Sequence, residues 1–170
     1  LNIPRLQESL YSSGFFNTNP DNDGLIRTTP LIQRYKGDIY PSLAFEMLRI
    51  YSGANKVEII GDVDGVEYIS FGEFKVPTDH SGSLFINFRG PQKHFQYISA
   101  SDILDGTFKK EDIAGKFVLV GTSALGLLDM RATPFDSVFP GVEVHANIID
   151  NILQQDFISK PLVAWGYDLV

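Results

Sequence analysis

Ser123, Asp129 and His145 follow one another in the order nucleophile, acid, base that an α/β-hydrolase uses. Ser123 lies in "KFVLVGTSALG" (116–126), where an apolar run breaks into glycine, threonine and serine. A nucleophile elbow needs G-x-S-x-G to hold its serine on a sharp turn, and "GTSALG" is one residue too long. Only 22 positions separate Ser123 from His145, and that histidine falls in the apolar sector of its own helix. It is expected to point into the core. The same glycines also test two nucleotide readings. A phosphate loop asks for G-x-x-x-x-G-K-[ST]; Gly121 and Gly126 keep that spacing, but Leu127 and Leu128 replace the lysine and the hydroxyl. A dinucleotide fingerprint needs a third glycine, which is missing. Thr122 and Ser123 then keep the plainer role of satisfying backbone groups where the run ends. No residue is assigned to catalysis, and no cofactor is implied.

Metal chemistry fares no better. Asn19, Asp21 and Asp23 alternate before Gly24 like the first half of a calcium loop, but Pro30 stands where the bidentate glutamate belongs. An Asx-type turn leading into a strand over 25–32 fits these residues better. His80 and His94 lie in turn sequence without ligand spacing. The charged residues around the glycine break are more suggestive. Arg89 follows the strand-like "FINF" directly, and Asp129 and Arg131 lie in the stretch 122–140, which has no clean period. So long an irregular segment inside a compact domain is usually functional. Two arginines there suit a carboxylate or another anion, which guanidinium groups meet in a planar fork. The same charges are equally able to close on themselves, as Arg131–Asp129 or Arg89–Asp129, and simply pin the loop. The candidate ligand residues are therefore Arg89, Thr122, Ser123, Asp129 and Arg131, with His145 as a core residue.

Composition narrows the partners. The chain has 170 residues, enough for one domain with a full core, and a net charge of −7 with no basic stripe for nucleic acid. It has no cysteine, which removes disulfides and thiolate zinc sites. No run reaches the ~18 apolar residues of a membrane span, although 161–170 has the composition of an approach to one.

Helical and strand periods then place these residues. "YPSLAFEMLRIYSG" (40–53) reads as a helix with Pro41 in its first turn, a narrow polar stripe of Ser42, Glu46 and Arg49, and Gly53 as its stop. "VEII", "GVEYISFGEFKV" and "SLFINF" alternate as strands, with Asp64–Gly65 as a hairpin turn. "SASDILDG" is a short helix capped by Ser99 or Ser101. "KFVLVG" reads as a strand buried on both faces. The last helix, 141–154, sets Glu143, Asn147, Asp150, Asn151 and Gln154 on one side as a solvated face. Val142, Ala146, Ile148, Ile149, Ile152 and Leu153 lie on the other. The fold class expected is α/β, a mixed β-sheet with packed helices in one domain.

Six blocks in this order resemble the second type of CHASE domain. They are "DNDGLIRTTPLI" (21–32), "PSLAFEML" (41–48), "DHSGSLFINFRGP" (79–91), "YISASDILDG" (97–106), "IAGKFVLVGTSALGLLDMRATPF" (113–135) and "PGVEVHANIIDNIL" (140–153). The resemblance implies a sensory domain over 15–155, preceded by a flanking segment 1–14 and followed by a juxtamembrane segment 156–170 leading to a transmembrane helix. It further implies an extracytoplasmic position in a bacterial membrane receptor that feeds a class III nucleotide cyclase, a histidine kinase or a serine/threonine kinase. It implies a second copy completing a homodimer but names no ligand; the loop charges above are read as a site for a small, anionic ligand, and the alternative is a periplasmic protein recognised through an exposed surface. It supplies no catalytic residues.

Overall fold

The computed structural model describes residues 3–123 and 129–158. A short helix, α1 (Pro4–Gln7), precedes a turn-rich stretch in which Arg27 holds both carboxylates of the would-be calcium loop, Asp21 at 2.6 Å and Asp23 at 2.7 Å. The Leu25 N–H donates to Asp23 Oδ1, the Asx turn expected there. Arg27 also holds the Asp23 carboxyl well down, at about 2.

Among the described residues the β component is divided among four small antiparallel sheets. Strand β1 (Thr28–Pro30) is shorter than the expected 25–32, because Leu31 turns away and β2 (Ile32–Tyr35) starts a separate hairpin with β3 (Asp38–Pro41). Lys36 and Gly37 both take positive φ at its tip, as a tight two-residue turn demands. Helix α2 (Leu43–Tyr51) follows at once. Pro41 is not in its first turn: it ends β3 opposite Ile32, and Ser42 caps the helix by accepting from the Phe45 N–H. Strands β4 (Val57–Asp62), β5 (Gly65–Phe71) and β6 (Phe74–Pro77) form a meander. Its first turn is Val63–Asp64, one residue ahead of the expected Asp64–Gly65, because Gly65 already pairs with Asp62; its second, at Gly72 with φ +54°, splits a run that reads as continuous in the sequence. Strand β7 (Ser83–Phe85) returns to pair with β1.

Helix α3 (Ala100–Asp105) is capped by Ser99 and ends at left-handed Gly106. The stretch 117–120 then corrects the doubly buried strand. It is extended but joins no ladder among the described residues: Phe117 and Leu119 pack on the core, while Val118 and Val120 are 53% and 93% exposed. With no strand beside it, only every second side chain can turn inward. The irregular stretch 122–140 contains a two-residue ladder, β8 (Met130–Arg131) against β9 (Phe139–Pro140), and delivers the chain into α4 (Gly141–Gln154).

The α/β class is therefore as expected. The core joins α2, α4 and the inner faces of β5, β6 and β7 around stacked aromatics: Phe45 meets Phe71 edge-on at 4.7 Å, and Phe88 meets Phe139 at 5.6 Å. Phe139→Ala is expected to cost about 3–5 kcal/mol in denaturant unfolding. Val120→Ala is expected to change stability by less than about 0.5 kcal/mol; a doubly buried strand at 117–120 would make it cost far more.

Candidate functional site

Helix α4 organises every candidate residue. Its polar stripe, Glu143, Asn147 and Asn151, is not solvated: these side chains are 2%, 1% and 0% exposed. Three of the five residues of the expected solvated face are thus buried, while Asp150 is half-buried and Gln154 is exposed as expected. The reason is that the segment after β7 leaves its sheet and needs partners for its backbone. Asn151 Oδ1 accepts the Asn87 N–H at 2.9 Å and its Nδ2 donates to the Asn87 carbonyl at 2.9 Å. Asn147 Oδ1 accepts the Arg89 N–H at 2.9 Å. The Glu143 carboxylate accepts the N–H groups of Lys93 and His94 at 2.9 Å and the Tyr97 hydroxyl at 2.6 Å. Burial, and then that contact with Glu143, push the Tyr97 phenol well above its ordinary value.

Arg89 belongs to this clamp rather than to the loop. Its guanidinium is 18% exposed and lies at 2.5 Å from both Asp150 and Asp156, at the C-terminal end of α4. Asp129 and Arg131 sit at the opposite end. The Asp129 carbonyl accepts the Gly141 N–H at 2.8 Å, and its carboxylate lies so close over Gly141 that a Cβ there would come within 2.4 Å of Oδ1. The acid thus occupies the N-terminus of α4, where the helix dipole favours negative charge. Arg131 Nη2 reaches Asp129 Oδ1 at 3.2 Å, the internal ion pair. The structure therefore unites Asp129 with Arg131 and keeps Arg89 about nine residues of helix away from them.

Thr122 and Ser123 are exposed. Their neighbour Gly121 abuts Val142 in the first turn of α4, which puts them near the same helix end. The intervening 124–128 lie outside the described residues, as does most of the juxtamembrane segment. His145 is half-buried, with Nδ1 buried and unpartnered among the described residues, so no hydrogen bond joins it to Ser123. Burial lowers its pKa; Asp129 pulls the other way and Arg131 reinforces the shift. Among the described residues no cluster has the makings of a metal site, and no helix is long and apolar enough to cross a membrane.

Sequence reasoning also missed a second buried charge. Glu46, inside α2, accepts Arg49 Nε and Nη2 at 2.7 Å and the Ser12 hydroxyl at 2.5 Å, tying the N-terminal segment to the core. Arg49 and then Ser12 hold its carboxyl below the usual range, against its burial. The i, i+3 spacing was visible; burial of the pair was not.

A family model described as the CHASE2 domain matches residues 3–169. No curated protein and no solved structure matches the chain.

Two measurements check the clamp and the histidine. Glu143→Ala leaves several donors without their acceptor and is expected to cost about 2–3 kcal/mol; Glu143→Gln keeps one acceptor and should cost roughly half as much. For His145 the folded state resists the proton that the unfolded chain takes up near 6.5. Stability should therefore fall as pH drops through the window just below 6.5, and His145→Gln should flatten that slope. An unchanged slope in the variant would assign it to other groups.

Proposed function

The chain belongs to the CHASE2 domain family, and from that premise we propose that it is the signal-input domain of a bacterial transmembrane receptor whose cytoplasmic output is a class III adenylate or guanylate cyclase. A CHASE2 domain is an extracellular sensory domain of signalling receptors and is itself non-catalytic. In this reading the domain lies outside the cytoplasmic membrane, is anchored through a segment beyond 156, and works as a homodimer, since cyclase and histidine kinase outputs act in pairs. A histidine or serine/threonine kinase is the alternative output.

The observation that carries the mechanism is the placement of the Asp129–Arg131 pair on the N-terminus of α4. An anionic ligand entering beside Thr122 and Ser123 competes with the Asp129 carboxylate for two things at once, the Arg131 guanidinium and the positive end of the helix. Displacing the Asp129 carboxylate loosens the loop at the Gly141 end of α4, which the Asp129 carbonyl and the β8–β9 ladder continue to tether. The other end stays tied to segment 87–97 by Arg89, Asn147 and Asn151. The helix then moves together with that segment. A preference of about 1–3 kcal/mol between two loop arrangements is enough to bias such a helix.

The test is made on the full-length receptor in membranes, reading cyclic-nucleotide production. Asp129→Asn is expected to shift basal output without added ligand, because it weakens the contact that a ligand would displace. Arg131→Ala is expected to abolish the response to an activating signal, and Arg89→Ala to blunt it by loosening α4 from its segment. A receptor with unchanged basal and stimulated output in all three variants would exclude this loop as the sensing element.

A further inference from the structure

The β2–β3 hairpin is an arm without a sheet of its own beyond two strands. Its register sends Ile32, Arg34, Ile39 and Pro41 to one face and Gln33, Tyr35, Asp38 and Tyr40 to the other. Both faces expose apolar groups: Ile39 on the first, and Tyr35 and Tyr40, 6.4 Å apart, on the second. A lone two-stranded hairpin is marginal in water unless something packs on it. Beside the Ile39 face runs an open groove of about 450 Å³, walled on its far side by Val57 and Ile59 of β4 and floored by Phe45. Strand β4 is the free edge of its meander, and it exposes Ile59 and Ile60 before Val63 at the hairpin tip.

Two further observations say what covers this face. Of the polar groups in the groove, Ser12, Glu46 and Arg49 bond one another, and the orphaned buried side-chain atoms among the described residues, Thr78 Oγ1 and His145 Nδ1, do not line it. The charged groups there are thus already engaged, and the remaining polar side chain, Ser13, is exposed at the rim. The charges at the two tips are instead complementary. Arg34 and Lys36 on the arm form no ion pair among the described residues; Lys36 lies only over the Tyr35 ring, at 5.3 Å. Asp62, Asp64 and Glu67 of the β4–β5 hairpin likewise form none. The arm that walls one side of the groove thus ends in a tip where Arg34 and Lys36 outnumber Asp38, and the hairpin that walls the other side ends in an acidic tip, both beyond the groove itself.

We infer that this face is where two copies of the chain meet, the arm of each lying across the groove and β4 edge of the other. Arg34 and Lys36 of one copy then approach Asp62 and Asp64 of its partner, and the two-fold operation makes the same contact twice. This rests on the reading of the receptor as a homodimer and adds to it the surface and the charges that hold it.

The experiment is sedimentation velocity on the chain over a concentration series at low and moderate salt. The wild type is expected to dimerise, more weakly as salt rises. Arg34→Glu with Lys36→Glu is expected to weaken the dimer roughly tenfold or more, with the circular dichroism and melting temperature of the wild type. Asp62→Lys with Asp64→Lys should do the same, and the four changes together should restore the dimer. A dimer indifferent to both double variants, or one the combined variant fails to restore, places the interface elsewhere while leaving the homodimer intact. A monomer at every concentration overturns both, and leaves the arm to a different protein.

Discussion

One geometric coincidence holds this structure together: four residues of α-helix rise about 6 Å, and two residues of extended chain rise only slightly more. Asn151 and Asn147, one such step apart on α4, therefore meet Asn87 and Arg89, one such step apart on the segment beside it. Glu143, the next step along the helix, meets the chain at 93–94, after Gly90 and Pro91 have bent it. Helix side chains here do what a neighbouring strand does elsewhere. Because each buried amide or carboxylate has its partner, the stripe can lie in the interior without the penalty of unpaired polar groups.

That ladder fixes where α4 lies, and the rest is built from its two ends. At the N-terminus Asp129 sits on Gly141, and the missing side chain at Gly141 is what allows so close an approach. At the C-terminus Arg89 gathers Asp150 and Asp156. The apolar side of the helix, Val144, Ile148 and Ile152, closes the core against α2. A helix gripped through its polar side by one segment and through its end by another is well suited to move as a unit with whatever displaces either.

Much of this was legible in the sequence where the signal is local. The span of α4, the cap at Ser99, the β4–β5 hairpin to within one residue and the Asx turn at Asp23 follow from propensities acting within a few residues. What failed depended on partners far along the chain. The stripe 143, 147, 151 has the spacing of a solvated face, and only the arrival of segment 87–97 makes it an interior one. Arg89 stood near Asp129 on the evidence of strand ends alone, whereas its carboxylates are 61 and 67 positions away in sequence. The run 117–120 was apolar enough for a buried strand, but a strand also needs a neighbour. The Asp129–Arg131 pair, separated by one residue, was within reach of sequence reasoning and is present.

The helix grips segment 87–97 chiefly by main-chain N–H and C=O groups, which are the same whatever amino acids carry them. Gln92, Lys93 and His94 point outward from that grip and are exposed. The outward side chains at Gln92 and His94 can thus change without disturbing the contacts beneath them, whereas Lys93, at φ +68°, holds a left-handed backbone that suits glycine or asparagine better than most residues.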